Sequence, residues 1–200
     1  MTAAIRPAGD HGALIELPDS AAARRVARAL AGRAELVDVV PGHRTVLVTW
    51  TEERPRELAA FVQSVLATDR EPEPARHLEI PVVYDGPDLA EVARLVHLSP
   101  QEVVERHVAA EYVVAFIGFA PGFAYLVGGD ERLEVPRLQR PRERVPAGSV
   151  AIAGPYSGVY PTDSPGGWRL LGRTTLTLFD PERTPPALLA SGDRVRFVRA

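Results

Sequence analysis

His107, Ser149 and Ser164 are the residues whose types suit acid-base or nucleophilic chemistry. A serine becomes a nucleophile only beside a base, and His107 is the main candidate for that base. Ser149 lacks the second glycine of a nucleophile elbow, so a nucleophilic role and a backbone-bonding role both stay open for it. For Ser164, in a proline-rich turn, hydrogen bonding to the loop backbone is the preferred interpretation. His107 falls at the predicted end of a helix, where capping is the alternative to proton transfer.

A run of arginines between prolines forms a second group with chemical potential, comprising Arg137, Arg140, Arg142 and Arg144. Such a run is typical of a solvated surface. Guanidinium groups held by prolines, however, also bind carboxylate or phosphate through two parallel hydrogen bonds. Because the chain contains no lysine to share this task, Arg142 and Arg173 are the predicted anion-binding residues.

The segment from Phe116 to Thr174 alternates glycine, proline and aromatic residues. Glycine permits a positive φ or a close approach of the backbone, and proline fixes φ. Rigid loops that present aromatic faces are therefore predicted, and these suit a ligand groove or a partner surface. Within this segment Gly166-Gly167-Trp168 would let a ligand approach the backbone beneath an indole ring. The alternative is a tight turn whose tryptophan closes one end of a barrel.

Composition excludes several classes of site. The chain has no cysteine, which removes disulfides, thiolate metal sites and cysteine nucleophiles, and no lysine, which removes Schiff-base chemistry and a P-loop lysine. The five histidines show no metal-binding spacing, so no metal site is predicted. A net charge of -3 argues against nucleic-acid binding. Neither a membrane-spanning run nor a signal pattern is found, so a cytoplasmic location is expected.

Residues 1–72 are predicted to form a small domain. A strand at Ala13–Leu17 precedes a helix capped by Asp19, and two strands at Leu36–Val40 and Thr45–Trp50 are joined by a hairpin turn. A second helix follows over Pro55–Leu66. This strand-helix-strand-strand-helix order is compatible with a ferredoxin-like α/β sandwich. The charged, proline-rich stretch 68–76 marks a linker.

Residues 77–200 are predicted to form a second, β-rich domain. After a strand at 80–83 come two helices, at 88–96 and 99–110, the second with a capping box and a proline at its first position. Their acidic character favours packing against a barrel over reading of DNA. Further strands are predicted at 112–117, 150–153, 170–179 and 195–198, and such short strands between glycines and prolines indicate a barrel or sandwich.

These motifs resemble the signature of the allophanate hydrolase subunit 1 (KipI) family, whose bacterial members include the B subunit of 5-oxoprolinase. The matching elements are Tyr84-Asp85-Gly86-Pro87-Asp88-Leu89, His107, Gly118-Phe119-Ala120-Pro121-Gly122-Phe123-Ala124-Tyr125-Leu126, Pro136-Arg137, Pro141-Arg142, Val145-Pro146-Ala147-Gly148-Ser149-Val150, Tyr160-Pro161, Ser164-Pro165-Gly166-Gly167-Trp168, Gly172-Arg173-Thr174 and Gly192-Asp193-Arg194-Val195-Arg196-Phe197. Two positions depart from the family: Val108 stands where a small hydroxyl residue is expected, and Leu138 where a second arginine is common.

The resemblance implies an α+β chain with a ferredoxin-like N-terminal domain followed by a cyclophilin-like β-barrel. It also implies partners, since members of this family pair with a paralogous subunit 2 protein. In 5-oxoprolinase that partner is the C subunit, and the A subunit joins the pair to open 5-oxo-L-proline to L-glutamate with ATP hydrolysis. ATP is therefore expected in the complex. Two alternatives stay open: a regulator that docks on a sensor histidine kinase, and a carboxyltransferase or allophanate hydrolase half that needs a biotinylated partner.

The resemblance also implies the site residues for a small amide or lactam. His107, Ser149 and Arg142 are the predicted catalytic residues, with His107 transferring a proton and Gly148 with Ser149 donating hydrogen bonds to an oxyanion or phosphate. The predicted substrate-binding residues are Phe119, Pro121, Gly122, Phe123, Tyr125, Gly148, Tyr160, Gly166, Gly167, Trp168 and Arg173.

Overall fold

The structure is a computed structural model that describes residues 3–52, 55–68 and 75–200. The chain divides into two compact units, Met1–Pro74 and Ala75–Ala200. Most of the predicted linker, residues 69–74, lies outside the described residues. No helix in the described ranges is long and apolar enough to cross a membrane.

The first unit is a four-stranded antiparallel sheet with two helices. Its elements are β1 (Ala4–Pro7), β2 (Gly12–Glu16), α1 (Ser20–Leu30), β3 (Asp38–Pro41), β4 (Thr45–Thr49) and α2 (Leu58–Ala67). The strand order is β1-β2-β4-β3. The predicted strand-helix-strand-strand-helix order is confirmed, and β1 adds a fourth strand to this ferredoxin-like sandwich. The sequence did not predict β1 because it is a short, mostly exposed edge strand without apolar alternation.

Helix α1 begins where predicted, since the Asp19 carboxylate accepts a hydrogen bond from the Ala22 N–H at 2.7 Å. Val26 and Leu30 are fully buried on one face of this helix. They pack in one core with Ile15 and other apolar residues of the sheet. This spacing of buried residues is that of an amphipathic helix lying on a sheet.

The second unit contains two helices and a barrel-like sheet. Its elements are β5 (His77–Val82), α3 (Leu89–Leu95), α4 (Pro100–Ala109), β6 (Tyr112–Ile117), β7 (Ala124–Val127), a 3₁₀ turn (Glu131–Leu133), β8 (Arg142–Val145), β9 (Ser149–Ala153), β10 (Tyr156–Val159), β11 (Ser164–Gly166), β12 (Arg169–Arg173) and β13 (Arg194–Arg199). Seven strands form one sheet in the order β12-β9-β10-β7-β6-β13-β5, and β8 pairs with β11 in a second sheet.

A single bridge between Val83 and Arg173 joins the two ends of the seven-stranded sheet. Each residue donates its N–H to the carbonyl of the other at 2.9 Å. The interior of the resulting barrel contains buried apolar side chains such as Leu126, Val150 and Phe197. The structure thus agrees with the predicted α+β fold class and its cyclophilin-like barrel.

The helices α3 and α4 pack against the outside of this barrel, as predicted, with Val92 and Val103 against Ile152 and Leu171. The capping box at Ser99 is also confirmed. The strand predicted over 170–179 is too long, because regular pairing ends at Arg173. The strands β7, β8, β10 and β11 were not predicted, because all four are short and β8 and β10 carry charged residues or glycine.

Candidate functional site

A tight loop between β6 and β7 presents Phe119 to solvent. The Gly118 N–H donates to the Phe123 carbonyl at 3.1 Å, and the Phe123 N–H donates to the Ala120 carbonyl at 3.0 Å. Phe119 has a φ of 70° and is 60% exposed. A bulky residue in the left-handed region is strained, and strain of this kind is concentrated at functional sites. Phe119 is therefore the residue of this loop that most directly indicates a binding surface.

The two loop residues Pro121 and Gly122 lie in different environments. Gly122 has a φ of 78°, and a Cβ atom there would lie 2.8 Å from the Cβ of Phe179, so only glycine fits. Pro121 precedes it and is exposed. The predicted binding residues Pro121 and Gly122 thus differ: Gly122 packs closely against Phe179, whereas Pro121 is exposed.

An aromatic cluster lies beneath Phe119. The Phe123 ring contacts Tyr125, Tyr160 and Trp168 edge to face, with centroid distances of 5.1, 5.2 and 5.3 Å. Phe119 contacts Phe123 in the same way at 5.3 Å. The structure brings all five predicted aromatic residues together, but Phe123, Tyr160 and Trp168 are buried in the cluster. They form its core, so they do not line an open pocket, and accessible aromatic surface remains on Phe119 and Tyr125.

Other groups of the protein contact the glycine pair before Trp168. A Cβ atom on Gly166 would lie 2.3 Å from the Tyr160 hydroxyl oxygen, so the phenol fills the space above this glycine. The Gly167 carbonyl accepts a hydrogen bond from the Leu138 N–H at 2.7 Å. At Gly166 the space expected for a ligand is therefore filled by Tyr160, whereas a binding role for Gly167 stays a prediction. Burial raises the pKa of that phenol, so it remains protonated.

The backbone amides of Gly148 and Ser149 are also engaged within the protein. The Gly148 N–H donates to the Tyr160 carbonyl at 2.8 Å, and the Ser149 N–H donates to the Pro146 carbonyl at 3.2 Å. Gly148 has a φ of 79° and packs against the Thr174 carbonyl, where a Cβ atom would lie at 2.3 Å. Neither amide is free to donate to an oxyanion in this structure, and Ser149 is 6% exposed.

The predicted anion-binding arginines are both held by carboxylates. Arg142 Nη2 donates to Asp88 Oδ1 at 2.7 Å, and Arg173 Nε donates to Asp85 Oδ2 at 2.9 Å. Arg142 Nη1 is shielded from solvent and has no hydrogen-bond partner among the described residues. Buried polar groups are ordinarily paired, so this nitrogen is a candidate donor to a ligand or partner atom.

Sequence reasoning missed Asp85 and Asp88. Both lie in the Tyr84–Asp88 segment, which the resemblance identified without assigning it a role. Asp88 is the first residue of the helix predicted over 88–96, and that position alone does not indicate a contact with an arginine. Its partner Arg142 lies 54 residues further along the chain, and no local pattern indicates so distant a contact.

His107 belongs to a separate, buried network. Its Nδ1 lies 2.8 Å from the Tyr84 hydroxyl oxygen and its Nε2 lies 3.2 Å from Ser157 Oγ. The ring has no exposed surface and packs against Phe197 with a centroid distance of 4.4 Å. Burial lowers the pKa of His107 to about 3, so the imidazole is neutral at physiological pH.

This geometry changes the interpretation of His107. Both ring nitrogens are engaged, and neither contacts Ser149, so the expected Ser149–His107 pair is not formed. The ring does not cap its helix either, because its partners are side chains. Proton transfer by His107 stays a prediction. Within residues 3–52, 55–68 and 75–200, no group of three or more His, Asp or Glu side chains could hold a metal ion.

Residues 3–189 match the family described as carboxyltransferase domain, subdomain C and D. The chain belongs to this family. The carboxyltransferase family match also confirms the resemblance seen in the motifs. Its relatives include the 5-oxoprolinase B subunit of Escherichia coli O157:H7, which is 47% identical over 87% of this chain and 83% of the relative. The corresponding B subunit of Bacillus subtilis (strain 168) is 54% identical over 62% of this chain and 53% of the relative.

Solved structures of similar chains show the same carboxyltransferase fold. TTHA0988 has a TM-score of 0.83 at 37% identity, covering 95% of this chain and 40% of TTHA0988. PH0987 from Pyrococcus horikoshii has a TM-score of 0.61 at 37% identity, covering 98% of this chain and 97% of PH0987. The K. lactis urea amidolyase has a TM-score of 0.80 at 19% identity, covering 99% of this chain and 15% of the amidolyase, which shows the fold alone.

Proposed function

We propose that this chain is the B subunit of an ATP-dependent 5-oxoprolinase, which opens 5-oxo-L-proline to L-glutamate. The supporting observation is the 47% identity to the E. coli protein of that name, extending over 87% of this chain. Identity at this level over nearly the whole chain favours a shared role more strongly than likeness of fold does.

The site also suits one component of a complex better than a complete enzyme. Arg142 has an unpartnered buried nitrogen, and Phe119 is an exposed ring on a strained backbone. Another chain that shares this site would supply an acceptor to the Arg142 nitrogen and cover the Phe119 ring. The proposed partners are the C subunit, which is related to allophanate hydrolase subunit 2, and the A subunit. With no lysine for a P-loop on this chain, ATP is proposed to bind in the complex.

The chemistry of the substrate matches these residues. Ring opening adds water across the lactam C–N bond: the hydroxyl joins the carbonyl carbon, and a proton goes to the nitrogen. A guanidinium group donates charge-assisted hydrogen bonds to a carboxylate or phosphate, and this is the proposed role of Arg142 and Arg173. Phe119 and Tyr125 would cover the apolar carbons of the ring and exclude bulk water. The Ser149 hydroxyl remains the candidate donor to the carbonyl oxygen.

The deciding experiment measures ATP-dependent formation of glutamate from 5-oxoproline. Three mixtures are compared: this chain alone, the A and C subunits without it, and all three proteins together. Activity in the full mixture alone is expected. Activity of the two partners without this chain would contradict an obligate role, and a stable complex that leaves 5-oxoproline unchanged would contradict the substrate.

A second candidate function is supported by Phe119. An exposed ring held at a φ of 70° beside the exposed Pro121 is a feature of protein-binding surfaces as well as ligand grooves. A regulator that docks on a sensor histidine kinase would use this surface without needing Arg142. Inhibition of kinase autophosphorylation that Phe119→Ala abolishes and Arg142→Lys preserves would favour this function.

A further inference from the structure

Asp88 lies at the N-cap position of α3 but does not cap that helix. Aspartate at this position ordinarily accepts a hydrogen bond from a helix amide, and here its side chain makes none. Instead, Oδ1 accepts from Arg142 Nη2, and Oδ2 accepts from the Leu170 N–H, both at 2.7 Å. With Asp88 only 4% exposed, its carboxylate is committed to holding Arg142 beside β12.

Asp85 makes the corresponding contact to the other arginine. Its Oδ2 lies 2.9 Å from Arg173 Nε. One short turn thus supplies a carboxylate to each arginine predicted to bind an anion. Other arginines of the unit pair with acids from elsewhere in the chain, as Arg144 does with Asp163.

The turn itself is fixed to β12. The Gly86 N–H donates to the Leu171 carbonyl at 3.0 Å, and the Asp88 N–H donates to the Leu170 carbonyl at 3.1 Å. A Cβ atom on Gly86 would lie 2.3 Å from the Leu170 carbonyl oxygen, so only glycine permits this approach. The two carboxylates are therefore held at set positions relative to the strand that carries Arg173.

The two terminal nitrogens of the Arg142 guanidinium group differ in their partners. Nη2 is bound by Asp88, and Nη1 is buried without a partner among the described residues. A guanidinium group is planar and rigid, so fixing one nitrogen also fixes the direction of the other. Asp88 consequently determines where Nη1 can donate a hydrogen bond to a further oxygen atom.

We propose that Asp88 and Asp85 are positioning residues that hold Arg142 and Arg173 ready for an oxyanion ligand, a carboxylate or a phosphate group. They act through the arginines and do not touch the ligand. The inference rests on the proposed function, because it assigns these arginines to the same site. The carboxylate of 5-oxoproline and a phosphate of ATP share the required chemistry, and the experiment distinguishes them.

The test measures steady-state kinetics of the reconstituted complex of all three proteins containing Asp88→Asn. Asparagine keeps the shape and the acceptor for Leu170 but loses the charge that holds Arg142. The KM for 5-oxoproline is expected to rise about tenfold if the ligand group is its carboxylate, and the KM for ATP if it is a phosphate. In either case kcat should stay within about threefold of wild type. An unchanged KM for both substrates overturns the proposal.

Asp163→Asn is the matched control. Asp163 also pairs with an arginine of β8, Arg144, and also accepts a backbone hydrogen bond, from the Ala147 N–H at 2.8 Å. Asp163→Asn should leave the KM values for 5-oxoproline and ATP within about twofold of wild type, because Arg144 has no proposed ligand. A rise in KM as large as that of Asp88→Asn would show a general effect of charge and overturn the proposal.

A double variant tests whether Asp88 acts through Arg142. In an Arg142→Gln background, Asp88→Asn should cause no further increase in KM, since the group that it positions is gone. Independent, multiplying effects of the two substitutions would contradict a positioning role.

A spectroscopic measurement separates this inference from the proposed function. If the wild-type complex does not open 5-oxoproline, the proposed function fails, and arginine side-chain NMR of the full chain then decides the inference. Slowly exchanging Arg142 guanidinium signals are expected in the wild type and in Asp163→Asn, and their loss in Asp88→Asn. Retention of these signals in Asp88→Asn would overturn the proposal.

Discussion

The His107 network and the Arg142 region lie in the same barrel unit, yet they differ in how their polar groups are satisfied. Both ring nitrogens of His107 have partners and the ring has no exposed surface. Arg142 keeps a buried nitrogen without a partner among the described residues, and Phe119 exposes a ring on a strained backbone. A satisfied network stabilises the fold, whereas the unsatisfied nitrogen and the exposed ring are the features on which the proposed ligand or partner site rests.

The largest effect is expected from a substitution that disrupts the buried His107 network. His107→Asn should lower the free energy of unfolding by about 3 kcal/mol, because it removes the imidazole that the hydroxyls of Tyr84 and Ser157 contact and creates a small cavity. Urea denaturation at neutral pH measures this loss. His77→Asn, at a largely exposed side chain, is the control and should have little effect. Full stability with lost turnover in His107→Asn would instead assign His107 to the chemistry.

The second-largest effect is expected at Arg142. Arg142→Lys should lower kcat/KM of the complex about 30-fold, because an ammonium group retains the charge but not the planar fork. Its free energy of unfolding should change by about 1 kcal/mol or less, since a cation still faces Asp88. Arg144→Lys, at the exposed pair with Asp163, provides the control. Equal turnover of Arg142→Lys and wild type would remove Arg142 from the site.

The third prediction concerns acid stability and sharpens the same contrast. The folded-state pKa of His107 is about 3, below its ordinary value of 6.5, so the unfolded chain binds one more proton between these values. Above the unfolded-state pKa, His107 does not change the free energy of unfolding with pH. Between the two pKa values, its protonation in the unfolded chain lowers the free energy of unfolding by about 1.4 kcal/mol for each unit that the pH falls. Urea denaturation across the upper part of this window measures the slope. The slope should be shallower in His107→Asn, and an unchanged slope would assign the acid sensitivity to other groups.

The smallest effect tests the strain at Phe119. Phe119→Gly should be more stable than Phe119→Ala by about 1 kcal/mol, because only glycine adopts a φ of 70° without cost. Both variants should lose affinity for the partner equally, since both lack the ring. Thermal denaturation and titration of the partner provide the two readouts. Equal stability of the two variants would show that the backbone is relaxed at this position.

Much of the fold could be predicted because its signals are local. Asp19 and Ser99 identify two helix starts, and apolar spacing identifies the strands that face the core. Strands such as β8 and β10 were not predicted, because their residues lack apolar alternation. Pairing across the sheet, which no local pattern encodes, gives them their structure.

The site was predictable in its composition but not in its contacts. The aromatic residues do cluster, yet the sequence could not show that Tyr160 occupies the space above Gly166. His107 was expected beside Ser149, whereas its partner Ser157 lies 50 residues away. Residue types indicate which chemistry a segment can perform, and the tertiary fold decides which groups are already engaged.

The bridge between Val83 and Arg173 makes closure of the barrel observable by hydrogen exchange. The amide protons of these two residues are bonded across the joint between the first and last strands of the sheet, so they exchange with solvent when that joint opens. Arg173 also binds Asp85 through its side chain, just beyond the bridge. Residue-specific exchange rates at Val83 and Arg173 therefore report how often the barrel opens beside the arginine.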